Sequence, residues 1–233
     1  MDTFNPKQCV ISIYRFLLIL FLALLIPLGI GCTETQKYRS LSDILKSGEV
    51  TVITRIKTRL PKYDRIIQEA AEKNGFDWRL IAAQIYQESH FNPRAQSPKG
   101  AYGLMQLTPS MAESFGIKDI LDAEQNVEAG TRYLRDLYDY FDKATPPDRL
   151  YLALAAYNIG LGHIWDARDL AREHNLDPNK WSSLLQTLPL LKYHKYNKNL
   201  RFGYAKGTEP IHYTQQIMIY YDILKRQSIE NQT

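Results

Sequence analysis

Cysteine is almost absent from this 233-residue chain: only Cys9 and Cys32 occur. Cys9 lies in an apolar leader, so once that leader is removed no disulfide can form within the mature chain. The five histidines, His90, His163, His174, His194 and His212, are scattered and have no partner cysteines at ligand spacing. That pattern predicts no metal, and nothing else in the chain calls for a cofactor. Repeats and long low-complexity tracts are missing too. Acid is missing from two places: no Asp or Glu falls between Glu88 and Glu113, and none between Pro178 and Thr208. The net charge of +4 falls by one on loss of the leader, because Lys7, Arg15 and Asp2 leave together. Such a small positive balance excludes little and mildly suits a partner that carries carboxylates. About 200 residues then remain, enough for one well-buried domain with a short appendage.

What is present is concentrated between Ala83 and Leu107, AQIYQESHFNPRAQSPKGAYGLMQL. Upstream of it Asp77 can cap a helix, Phe76 and Ile81 occupy hydrophobic-staple positions, and Asn92-Pro93 is expected to stop the helix. At about 100° per residue, Ile81, Gln84, Ile85 and Glu88 share one face. A carboxyl on a mainly apolar face loses hydration, and near a helix C-terminus it also meets the negative end of the macrodipole. Both effects raise its pKa. A Glu that keeps its proton near neutrality can act as a general acid. A solvated Glu at a helix edge is the plain alternative for such a residue taken alone.

The missing acids bear on the chemistry. A retaining glycosidase needs a second carboxylate about 5 Å from its acid, and an inverting one needs a base about 6.5–9.5 Å away. With none before Glu113, a one-carboxylate mechanism fits better, although a distant part of the chain could supply the partner. The loop Ser97 to Gln106 offers glycines that allow close backbone approach, an amide that donates and accepts, and a hydroxyl. Those groups suit the reading of a sugar beside an acid.

Glu88-Ser89, then Phe91-Asn92-Pro93, then Ser97, then Gly103-Leu104-Met105-Gln106, then Ala156-Tyr157-Asn158 resemble the ordered motifs of the soluble-lytic-transglycosylase (SLT) family. The part from Leu188-Pro189-Leu190-Leu191 through Gly203-Tyr204-Ala205 to Glu209, Tyr213 and Tyr220-Tyr221 is similar more narrowly to a membrane-bound branch of that family. The match runs from Leu60 to Leu224. It implies a mostly α, lysozyme-like (goose-type) catalytic domain. It also implies non-hydrolytic cleavage of the β-1,4 bond between N-acetylmuramic acid and N-acetylglucosamine in peptidoglycan glycan strands, leaving a 1,6-anhydromuramyl end. Glu88 would be acid and then base, with Ser97, Met105, Gln106, Tyr157 and Asn158 binding substrate and Tyr213 orienting Glu88. Read without the resemblance, Met105 and Tyr157 also fit a core, and Asn158 fits a helix C-cap with Gly160 close behind. A muramidase-type hydrolase and a wall-binding module without catalysis remain the alternatives in function.

Lys7 and Arg15 precede the run Phe16 to Ile26, which ends in Pro27, Leu28, Gly29, Ile30, Gly31 and Cys32. This reads as an export signal over residues 1–31. Gly31-Cys32 resembles a bacterial lipobox, with Gly29 where that motif has Leu, so Cys32 is the expected lipidation site. A lipid anchor on the periplasmic face of the outer membrane follows, with Thr33 in place of the Asp that signals inner-membrane retention. An uncleaved transmembrane anchor is the alternative, because no charge falls between Arg15 and Glu34.

Residues 32–59 are expected to form a tether and a short α/β remnant, with a helix turn from Leu41, a stop at Gly48 and a strand over Val50 to Arg55. That segment resembles the opening of a solute-binding domain which precedes the catalytic one in the membrane-bound branch. Residues 60–233 form the expected catalytic domain. Its candidate helices are Lys62–Lys73, Trp78–His90, Pro109–Phe115, Gln125–Phe141, Asp148–Asn158, Gly162–Glu173, Trp181–Leu185 and Pro210–Arg226. Within the acid-free stretch, Lys192, Lys195, Lys198, Arg201 and Lys206 alternate with Tyr193, Tyr196, Phe202 and Tyr204. That mixture can bind nucleic acid, but export argues against such a partner, and a border of the glycan cleft or a solvated loop fits better.

Overall fold

The computed structural model describes residues 41–230, with side chains over 50–227. The export signal, the cleavage region and Cys32 lie outside the described residues. The chain from 41 on is a stack of helices: α1 (Leu41–Arg59), α2 (Asp64–Lys73), α3 (Trp78–Ser89), α4 (Pro109–Ser114), α5 (Ala123–Tyr140), α6 (Asp148–Ile159), α7 (Leu161–Glu173), α8 (Trp181–Thr187), α9 (His194–Asn197) and α10 (Thr208–Glu230). Short 3₁₀ turns join α1 to α2 (Leu60–Lys62) and α8 to α9 (Leu188–Lys192). No helix among the described residues is long and apolar enough to cross a membrane.

The expected helices from Lys62 to Arg226 all form, with ends shifted by a few residues. Inside the acid-free stretch the sequence reading misses two short elements, the 3₁₀ turn at Leu188–Lys192 and α9. Helix α6 is the hub. Leu152, Ala153, Leu154, Ala155 and Ala156 are all fully buried, and α5, α7, α8 and α10 pack around them. A helix apolar on every side is stable only in such an interior position. Small alanines there let the neighbouring helices approach closely. Helix α10 lies against both α3 and α6, which brings the end of the chain to the helix that carries Glu88.

The strand expected over Val50 to Arg55 is not formed. The segment is the second half of α1, and among the described residues the only β pairing is the pair of isolated bridges Gln96–Tyr102 and Tyr102–Leu107. The inward residues of this stretch are Val52, Ile53, Ile56 and Leu60, a helical stripe, whereas a strand would bury alternate residues. Ile56 is fully buried and Val52 packs on the core. A lone strand would also leave its backbone groups unpaired, while a helix pairs its own. That requirement outweighs the β preference of Val50-Thr51-Val52-Ile53 and the glycine at Gly48.

Helix α3 begins as expected. The Asp77 side chain accepts from Arg79 N at 2.9 Å, and its carboxylate also takes the Arg79 guanidinium (2.6 Å) and the Tyr221 hydroxyl of α10 (3.0 Å). The end falls one residue before the expected His90, which is the C-cap. The helix stops at Ser89, before Asn92-Pro93, because His90 and Phe91 turn left-handed at φ 50° and 59°. Phe91 is buried, its ring parallel to that of Tyr63 at 6.3 Å, so core burial of this aromatic ends the helix before the proline can.

Burial tends to raise the Asp77 pKa, yet the hydrogen bonds from Arg79 and Tyr221 outweigh it and hold the carboxyl below its ordinary 3.8. Its stabilisation is therefore present above that value and lost as pH falls through the lower folded-state pKa. Asp77→Ala is expected to cost about 2 kcal/mol at neutral pH, roughly 4–8 °C in Tm, from the lost cap and the two part-buried contacts. Thermal melts at pH 7 and pH 3 check this, since the difference must shrink in acid.

Candidate active site

Glu88 occupies the penultimate position of α3, and Gln84, one turn earlier on the same face, is wholly buried between Ile81 and Ile85. Glu88 itself is half-buried. Desolvation of its carboxyl pushes the pKa from 4.5 up to about 7, and a hydrogen bond donated by Tyr213 Oη to Oε1 (2.5 Å) works against that rise. The result is a carboxyl that carries its proton about half the time at neutrality, so it can give one up and take one back. No carboxylate among the described residues contributes to the shift.

Two tyrosines flank the acid. Tyr213 comes from α10 and is 5% exposed. Tyr157 comes from α6 and donates its hydroxyl to Met105 O at 2.9 Å. Burial, and after it the nearby Glu88 charge, lifts both phenols well above their ordinary pKa, so both stay neutral hydroxyls.

The loop from Ala95 to Leu107 is held by its own bonds and by one buried side chain. Ser97 Oγ accepts from Ala101 N at 3.0 Å. Gln106 Nε2 donates back to Gly103 O (2.9 Å) and Ala95 O (3.2 Å), with Gln106 itself left-handed at φ 52°. Asn126 of α5 reaches up underneath. Its Oδ1 accepts from Met105 N at 2.8 Å, and its Nδ2 donates to Tyr102 O (3.0 Å) and Ile120 O (2.8 Å). Gly103 is the residue this contact requires: at φ 83°, an added Cβ would lie 2.3 Å from Asn126 Nδ2. Gly130 plays the matching part on α5, where a Cβ would meet Met105 Sδ at 2.6 Å and Tyr157 Oη at 3.0 Å. Of the non-glycine residues with positive φ, His90, Phe91 and Gln106 border Glu88 or its loop, the kind of stored strain that gathers at functional sites.

The tip of the loop meets the first turn of α10, where Glu209 lies 3.7 Å from both Lys99 and Lys206. These exposed pairs contribute little stability. They do show that the acid-free segment ends beside the loop. That segment is anchored by buried Asp166 of α7, whose Oδ2 accepts from Phe202 N and Gly203 N, each at 2.9 Å. Three of its cations lie over aromatic rings, Lys192 over Tyr193, Lys195 over Tyr196, and Arg201 over Trp165 and Phe202.

The structure thus brings Glu88, Tyr213, Tyr157 and the Met105-Gln106 turn together. Met105 is wholly buried, so its side chain supports the loop from below while its backbone carries the contact to Tyr157. Asn158 stands exposed one residue beyond Tyr157, and the C-cap of α6 is Gly160, so the capping role considered for Asn158 is not observed. Ser97 lies further along the loop, half-buried. Asn126 and Gly130 went unnoticed in the sequence. The available signal was a polar side chain on the inward stripe of α5, beside Val127, Thr131 and Leu134.

Fold and site together define a mostly α, lysozyme-like domain with one carboxyl acid at the end of a helix. Its backbone superposes on the 70 kDa soluble lytic transglycosylase of Escherichia coli with a TM-score of 0.52 at 22% identity, over 71% of this chain and 24% of that one. Residues 65–180 match the Transglycosylase SLT domain, and the chain belongs to that family. It is 51% identical over 173 residues to the membrane-bound lytic murein transglycosylase F of Desulfosudis oleivorans, covering 74% of this chain and 38% of that protein. To the protein of the same name from Saccharophagus degradans it is 45% identical over 196 residues, covering 84% and 39%. The chain therefore spans less than two fifths of the length of these curated relatives.

Proposed function

We propose that this chain is a peptidoglycan lytic transglycosylase, cleaving the bond between N-acetylmuramic acid and N-acetylglucosamine without water. The observation that carries the reading is Glu88: a single carboxyl with its pKa pushed up to about 7 and no second carboxylate acting on it among the described residues. One such group suffices when the substrate brings its own nucleophile. Glu88 protonates the glycosidic oxygen, and the resulting carboxylate, steadied by the Tyr213 hydroxyl, takes the proton from the muramyl C6 hydroxyl as that oxygen closes on C1. Ser97, Gln106 and Asn158 supply polar groups along the cleft, and Met105, Tyr157 and Tyr213 hold its floor. The names of the relatives, lytic murein transglycosylases, agree with this chemistry. Mass spectrometry of purified peptidoglycan digested by the full chain in detergent tests it. Anhydro ends, lighter than reducing ends by one water, support the reading; reducing ends mean a hydrolase, and binding without products means an inactive wall-binding module.

The same proposal places the protein in the cell envelope, with residues 1–31 as export signal, 32–59 leading from the lipidated Cys32, and 60–233 as the catalytic domain. The relatives' name, membrane-bound, supports an envelope location. Cys32→Ser is expected to abolish incorporation of radiolabelled palmitate and to release the protein from the membrane fraction. Membrane retention of the Cys32→Ser chain would point instead to an uncleaved transmembrane anchor.

A further inference from the structure

Gln84 is fully buried on α3, among alanines and isoleucines, one helical turn before Glu88. Its Nε2 donates to Tyr213 Oη at 3.2 Å, and Tyr213 donates onward to Glu88 Oε1. Its Oε1 is buried with no hydrogen-bond partner. A buried amide that leaves one acceptor unpaired costs stability, and an apolar side chain of the same length would fit this position at lower cost. Space filling therefore does not explain a glutamine here.

Hydrogen-bond direction does. A tyrosine hydroxyl owns one hydrogen and can accept at its oxygen. An acceptor at position 84 would compete with Glu88 for that hydrogen. An amide N–H instead occupies the Tyr213 oxygen from behind, and the hydrogen is left to point at Glu88. The chain of donors runs one way, from Gln84 through Tyr213 to the carboxyl, and each bond polarises the next.

We propose that Gln84 is a positioning residue: it fixes the Tyr213 hydroxyl with its hydrogen toward Glu88 and so favours the carboxylate at the step where Glu88 takes up a proton. The catalytic consequence rests on the lytic-transglycosylase reading; the electrostatic one does not. The titratable groups that face Glu88 are Tyr213 from α10 and Tyr157 from α6, with Tyr133 of α5 behind Tyr157, and all three phenols are held above their ordinary range. No group from α2, the other helix packed on α3, acts on Glu88. Glu88 is thus a carboxyl raised toward neutrality, and its own carboxyl carbon gives a direct readout of its midpoint.

The test uses Gln84→Met in the full chain, which keeps length and volume and removes the donor. The Glu88 carboxyl is followed by carbon-13 NMR titration and turnover by release of anhydro ends. The expected result is a Glu88 midpoint raised by roughly half to one pH unit and a kcat about 5–10-fold lower at neutral pH with KM little changed. In a Tyr213→Phe background the same substitution is expected to change neither. An unmoved midpoint in folded Gln84→Met, or a shift that persists without the Tyr213 hydroxyl, overturns the proposal. Gln84→Leu takes its place if the Met variant does not fold. Should the parent chain itself release no anhydro ends, the functional reading fails, while the titration still decides the role of Gln84.

Discussion

Glu88→Gln is expected to lower release of anhydro ends by about 10²–10⁴-fold, and at the same time to make the protein more stable at pH 8. The first effect follows from the loss of the one carboxyl that the described residues place at the site, since positioned proton transfer contributes about 10²–10⁴-fold. The second follows from the direction of the Glu88 shift. Folding raises this carboxyl from 4.5 to about 7, so the folded state holds the proton more tightly than the unfolded one. Its contribution is favourable below the unfolded value and is lost as pH rises through about 7, leaving a desolvated charge in the fold above that. At about 1.4 kcal/mol per pH unit the ceiling is about 3 kcal/mol, and partial exposure of Glu88 brings the working figure nearer to about 1–2 kcal/mol. A neutral amide of the same shape avoids that cost. Calorimetry should show Tm for Glu88→Gln above the parent by several degrees at pH 8, with the gap closing toward pH 4. A variant that is inactive yet no more stable at pH 8 would mean that the Glu88 carboxylate is well solvated and its acid strength ordinary.

The second large effect is expected at a residue that touches no substrate. Asn126→Leu preserves bulk and removes the three hydrogen bonds that tie the Gly-rich loop and the Ile120 carbonyl to α5. Tyr102 O keeps the Leu107 N–H, but Met105 N–H loses its partner in a buried place and Ile120 O in a part-buried one. At about 1–2 kcal/mol for each of the two orphaned groups, the variant should lose about 2–4 kcal/mol, roughly 4–16 °C in Tm. Turnover should also fall at temperatures where the variant remains folded, because Met105 O no longer holds the Tyr157 hydroxyl in place. A melt within 2–3 °C of the parent, with normal turnover, would show that the loop is held by its internal bonds alone.

Both effects begin from different kinds of legibility. Glu88 was readable because its environment is mainly local: apolar residues one turn away on the same helix face, near the helix end. Asn126 was not, because the loop atoms it serves lie 21 and 24 residues away and its own helix shows only polar Asn126 and Thr131 among the apolar residues of an inward stripe. Gln84 falls between the two. Its place on the Glu88 face was visible in the spacing, but its partner Tyr213 lies 129 residues further along the chain, and only folding brings them together.

The sequence by itself determined the helices from Asp64 onward other than α9, the cap at Asp77, the place of Glu88 on its helix face and the family to which the chain belongs, because helical periodicity, capping and ordered motifs are written in near neighbours. It misjudged residues 50–55, where β-branched side chains outvoted a helical stripe that only a neighbouring core could reward. Tertiary structure alone decided how far Glu88 is desolvated, which hydroxyl steadies it, and how Asn126 and two glycines fit the loop against α5. Those outcomes depend on distances between helices, and solvation and hydrogen-bond direction are properties of the assembled interior, not of any one segment of chain.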